Sequence, residues 1–109
     1  MAGPKKMPPR AERRAAQRSS DKLARQRERL AALEPGGSPG HPLEVASASL
    51  IESRALARPC LRCDATEARL DEHSAESVGG HIVRTVRTHC GRCGAGRTLY
   101  VRVVASGPN

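Results

Sequence analysis

Four cysteines, arranged as Cys60-x-x-Cys63 and Cys90-x-x-Cys93 with 26 residues between the pairs, constrain this 109-residue chain more than any other feature. They stand in a sequence with a single aromatic side chain, Tyr100. Large apolar side chains do most of the burial in a core. Here hydrophobic residues make up 38% of the chain, and many of them are alanine. A chain of this length holds one domain at most, plus tails. Such a domain cannot rely on area burial alone and needs a staple, for which the cysteines are the only candidates.

Two C-x2-C pairs at this spacing read as a tetrathiolate metal site. A tight turn sets the two sulfurs of one pair on the same side, and two such knuckles facing each other complete a tetrahedron. The glycines of the second knuckle, Gly91, Gly94 and Gly96, allow a positive-φ turn that aims backbone N–H groups at sulfur. Asp64 stands in the first knuckle where the second has Gly94, and Asp tolerates the left-handed region better than most residues. One structural Zn2+ held by Cys60, Cys63, Cys90 and Cys93 is the expected cofactor. Iron in the same four sulfurs is chemically open, although rubredoxin-like sites are wrapped in aromatics.

The competing chemistries have specific defects. A disulfide within either C-x2-C would close a loop too short to stabilise much. No βαβ pattern supports a thioredoxin-like motif. Pro59-Cys60-x-x-Cys63 echoes half of the nucleobase-deaminase signature, but the H-x-E half is missing, and His41 and Glu44 are one residue too far apart to supply it. Four thiolates saturate the metal, leaving no open position for catalysis. A non-enzymatic protein is expected, with no small-molecule substrate indicated. His73, His81 and His89 read as ordinary strand and loop residues, with a second metal or a catalytic base as the sharper alternative. Asp71, Glu72 and Glu76 show no paired-carboxylate pattern.

Around the cysteines the sequence reads as strands. Residues 98–104 alternate, with Leu99, Val101 and Val103 on one face and Thr98, Tyr100 and Arg102 on the other. Residues 81–89 are rich in β-branched side chains, and residues 67–73 form a weaker strand. Ser77-Val-Gly-Gly80 is expected to turn the chain back. The result is a small metal-stabilised β fold, a three-stranded antiparallel zinc ribbon over residues 58–105. On these residues the chain resembles the zinc-ribbon superfamily, whose ligand positions Cys60, Cys63, Cys90 and Cys93 match one for one. The whole chain also resembles small bacterial zinc-ribbon proteins with a basic N-terminal tail. The resemblance implies fold and metal; it implies no activity, since ribbons serve many functions.

The remaining sequence is a different material. Residues 1–40 carry ten basic and four acidic side chains, and residues 41–109 carry nine and seven. With four thiolates around a divalent metal the second part is close to neutral. The basic charge then belongs to an arm made of a disordered stretch over residues 1–9, a helix over residues 10–33, and a flexible Pro/Gly linker, Glu34 to Gly40. Leu23, Leu30 and Leu33 share a thin stripe on that helix. Residues 41–57 are expected to lie extended on the ribbon, with a short helix over 50–57 as the alternative.

Non-specific nucleic-acid contact is the expected function, through phosphates rather than stacking because no aromatics interleave with the basic residues. Lys5, Lys6, Arg10, Arg13, Arg14, Arg18, Arg92 and Arg97 are the candidate contacts. Arg84, Arg87 and Arg102 could join the last two in one surface or merely keep an edge strand soluble. The alternatives are a protein–protein adaptor, docking through the ribbon or the 10–33 helix, and a thiolate-based redox or metal-responsive switch. No membrane-spanning stretch and no apolar signal region are visible, so the expected location is the cytoplasm.

Overall fold

The computed structural model describes residues 10–104; Lys5, Lys6 and the last five residues lie outside that range. Helix α1 covers Arg10–Leu33, where Ala, Leu, Arg, Gln and Glu predominate without Gly or Pro. Strand β1 (Leu43–Val45) follows, then a single 3-10 turn (Ala48–Leu50) running into helix α2 (Ile51–Leu56). Strands β2 (Ala68–Val78), β3 (His81–Cys90) and β4 (Gly96–Val103) follow.

The sheet has four strands in the order β1-β4-β3-β2. This corrects the expectation of three antiparallel strands. The β2, β3 and β4 meander is antiparallel, but β1 joins the free edge of β4 in parallel, with Leu43 opposite Val101 and Val45 opposite Val103. Residues 41–57 are therefore not one extended segment. Three residues are strand and six are helix, because the apolar positions do two jobs. Leu43 and Val45 complete the sheet, while Ile51 and Ala55, four apart, share the helical face that rests on it.

That helix makes the core. Val45, Ile51, Ala55, Val86, Leu99 and Val101 form one buried cluster, with Leu43 packed against it. Val103, expected on the same inward face, is 40% exposed and lies outside this cluster. Ile51 has no exposed surface, so Ile51→Ala should lower stability by about 2–5 kcal/mol, measured by denaturant unfolding of the metal-loaded protein.

The β2–β3 hairpin is longer than the sequence suggests. Ser77 and Val78 are strand residues, paired with Ile82 and His81, so only Gly79 and Gly80 form the turn. Both have positive φ, 57° and 83°, the requirement of a two-residue hairpin turn whose twist matches the strands it joins. A bulge at Asp71 interrupts the pairing between Leu70 and Glu72. It lies on the outer edge strand, where bulges discourage further strand addition.

The expected flexible linker is hydrogen-bonded into the fold. Gly36 N–H donates to His41 O at 2.8 Å, Gly37 N–H to Glu34 O at 2.9 Å, and Tyr100 N–H to Gly36 O at 2.9 Å. The Pro/Gly segment thus caps the part of β4 that β1 does not reach. No helix among the described residues is long and apolar enough to cross a membrane.

Candidate metal centre

The two knuckles are built alike from backbone bonds. Cys60 N–H donates to Ala65 O at 2.9 Å and Asp64 N–H to Cys60 O at 3.0 Å; Cys90 N–H donates to Ala95 O at 2.9 Å and Gly94 N–H to Cys90 O at 2.8 Å. In each, the first sulfur accepts an N–H two residues on, from Arg62 and from Arg92, both at 3.4 Å. The residue after the second cysteine takes positive φ in both, 62° at Asp64 and 80° at Gly94. A side chain at Gly94 would meet nothing within 4 Å, so its requirement is conformational alone. Gly94→Ala should weaken metal affinity by about tenfold in a chelator competition, the equivalent of the 1–2 kcal/mol cost of the left-handed region.

Gly91 serves differently from the expectation. It does not have positive φ. Its N–H donates to Glu67 O at 2.8 Å. A β-carbon there would come within 2.7 Å of the Arg69 side chain and 3.1 Å of Glu67 O. The glycine lets the second knuckle close against the start of β2.

All four sulfurs lie within 4.8 Å of one another, the only such metal-capable group among the described residues. Cys60 and Cys93 sulfurs are 3.5 Å apart, and those of Cys63 and Cys90 are 3.6 Å apart. Sulfurs each about 2.3 Å from a tetrahedral centre define edges of about 3.8 Å. The cradle therefore has the dimensions of a four-thiolate metal site, and these residues could hold a metal ion.

Electrostatics of the thiols themselves point the same way. N–H groups of Cys93 and Arg92 bring Cys90 down to about 7. Burial opposes ionisation of Cys60, but the N–H groups of Cys63 and Arg62 outweigh it and lower its thiol. The Ala65 N–H favours the Cys63 thiolate, yet desolvation and the other three sulfurs push that thiol up to about 12. Four adjacent sulfurs cannot all ionise without a cation among them.

Helix α1 docks on the first knuckle, but not through its leucines. Ala24 is its buried residue, Arg27 pairs with Asp64, and Glu28 meets Arg62 at 3.4 Å. Leu23, Leu30 and Leu33 remain 56%, 63% and 75% exposed. Small and charged side chains suit a knuckle that offers backbone and polar groups rather than an apolar groove.

The candidate phosphate contacts do not form one patch. Arg10, Arg13, Arg14 and Arg18 are exposed on α1, and Arg92 is exposed at the tip of the second knuckle. Arg97 is half-buried, its Nη1 donating to Pro59 O at 2.7 Å, which ties β4 to the first knuckle. Burial lowers the pKa of Arg97, and the nearby Arg58 lowers it further. Arg87 pairs with Glu72 at 3.6 Å, while Arg84 and Arg102 lie near Gly80 at the hairpin end, away from the metal site. The expected single arginine surface is therefore split between the two ends of the sheet.

Sequence reasoning missed two features. Lys22, Arg25 and Arg29 extend the row begun by Arg14 and Arg18, at spacings of four, four, three and four residues along α1. Helical periodicity applied to charge, rather than to leucine alone, would have found it. The histidines also have partners: His73 Nδ1 bonds Glu52 at 2.8 Å, joining β2 to α2, and His89 Nδ1 bonds the bulged Asp71 at 2.5 Å. His81 is exposed and has no such partner among the described residues. Compared with known proteins, the chain matches no family model, no curated protein and no solved structure.

Proposed function

We propose that the chain is a non-catalytic zinc module of ribbon type that contacts nucleic acid through one face of α1. Zinc is favoured over iron because nothing aromatic surrounds the thiolates, and four sulfurs leave a structural zinc closed to substrate. The observation that carries the nucleic-acid reading is the row Arg14, Arg18, Lys22, Arg25 and Arg29. These five cations share one helical face about 22 Å long. All are exposed, and none has a carboxylate within 4.0 Å among the described residues. The docked face lies to one side of them and the leucines to the other.

Such a row recognises a line of phosphates and carries no base readout, so binding should be sequence-independent and sensitive to salt. Titrating labelled random-sequence DNA and RNA with the zinc-loaded protein at several salt concentrations tests it. Binding that strengthens steeply as salt falls supports the reading; no binding at low salt rejects it.

The exposed leucines favour a second reading, an adaptor whose helix docks on another protein. Retention of a partner at high salt, and its loss on Leu30→Asp, would distinguish that function from phosphate contact.

A further inference from the structure

Beside the first knuckle a cleft of about 240 Å3 opens between the C-terminal turns of α1 and the uncovered edge of β4. Arg58 and Arg97 both line it, together with Thr98 and Tyr100. Arg58 is half-buried, yet it makes no ion pair among the described residues. Arg97 commits only Nη1, to Pro59 O. Of the acids nearby, Glu28 is engaged by Arg62 at 3.4 Å, and Glu34 can balance only one of the two guanidinium charges.

The backbone adds a donor. Tyr100 N–H points away from β3, towards Gly36 O. Strand alternation gives Thr98 N–H the same outward direction, into the cleft. Two arginines and one outward strand N–H thus border a single opening, with Thr98 and Tyr100 in its wall.

The geometry points to a phosphate-binding site in this cleft, held by Arg58 and Arg97 with Thr98 N–H as a third donor. Phosphate suits it better than a carboxylate because three peripheral oxygens can accept from three separate donors at once, Arg58 after α2 and Arg97 and Thr98 on β4. Like charges in one wall also need an anion between them more than they need each other. The site does not depend on the basic row of α1, which lies on another face. The phosphate could come from free phosphate or from the end of a nucleic-acid strand, and the chemistry of the cleft is the same for both.

The test is amide and guanidinium NMR of the zinc-loaded full chain, titrated with inorganic phosphate, a 5′-phosphorylated dinucleotide and its 5′-hydroxyl counterpart, at constant ionic strength in chloride. The expected result is a saturable shift of the Thr98 amide and the Arg58 Nε–H, weakened about tenfold by Arg58→Gln with zinc content and melting temperature unchanged. A response to inorganic phosphate identifies the free anion as sufficient; a response to the phosphorylated dinucleotide alone identifies a strand end. Absence of saturable shifts with all three probes overturns the proposal. So do equal shifts from both dinucleotides with none from inorganic phosphate, which report the linkage they share rather than a terminal phosphate, or shifts that Arg58→Gln leaves unchanged. If Arg58→Gln loses zinc, Arg58→Lys is used instead. Lys keeps the charge without the fork, so equal phosphate affinity in that variant overturns the two-guanidinium geometry.

Discussion

Stripping the metal with a chelator should abolish the folded sheet, with loss of the strand signal in circular dichroism and of dispersed amide resonances. The core explains the size of the effect. Among the described residues only three large side chains, Ile51, Val86 and Val101, are fully buried. Structural zinc contributes an apparent ~10–16 kcal/mol in zinc-finger peptides, as much as the whole stability of a typical domain. The meander is tied to the site at two places: β2 begins five residues after Cys63, and the β3–β4 turn is the second knuckle itself, β3 ending at Cys90 and β4 beginning three residues after Cys93. Cys90→Ser should therefore act nearly as strongly as chelation. Ile51→Ala, in contrast, should shift the transition while leaving a folded state.

Acid should reproduce the chelator's effect, and the sign follows from the thiols. The metal binds thiolates, so protons compete with it and affinity falls as pH falls. Above about 7, Cys90 is already largely ionised, whereas Cys63, at about 12, still has a proton to lose. Below about 7 the metal must displace the Cys90 proton as well. The dependence of log affinity on pH should therefore steepen there, and a slope that stays flat through this range would contradict the assignment.

The second large effect concerns α1. Replacing Arg14, Arg18, Arg25 and Arg29 together with Gln should lower affinity for random-sequence DNA by about two orders of magnitude at low salt. The slope of log affinity against log salt should fall by roughly 3 to 4, about 0.9 for each phosphate that is no longer neutralised. Gln is a good helix former, and none of the four residues touches the knuckle, so zinc content and the sheet's melting transition should not change. Replacing Leu23, Leu30 and Leu33 instead should leave the salt slope intact. The reverse pattern would assign α1 to protein docking.

The parts of the fold visible in the sequence are those with a local code. Two C-x2-C pairs specify two knuckles because each knuckle closes within six residues on its own backbone, and Asp64 could be matched to Gly94 on conformational preference alone. The helix over 10–33 and the strand leaving the second knuckle follow from composition and alternation. What was hidden depends on tertiary context. Nothing in Leu43-Glu-Val45 announces that it will pair in parallel with an edge formed almost sixty residues later. The Pro/Gly segment looked loose because its order comes from Tyr100 N–H across space. The leucines of α1 looked like a docking face because burial is the usual reason for a stripe, whereas Ala24, Arg27 and Glu28 dock instead. Arg58 has no motif at all; its interest arises only from sharing a cleft with Arg97.

X-ray absorption at the metal edge of the purified protein, alongside elemental analysis, decides whether four sulfurs hold zinc at the two knuckles. The expected result is one zinc per chain with four sulfur neighbours at about 2.3 Å and no nitrogen or oxygen bound to the metal. A chain that is folded without metal, or a first shell containing nitrogen or oxygen, would contradict it.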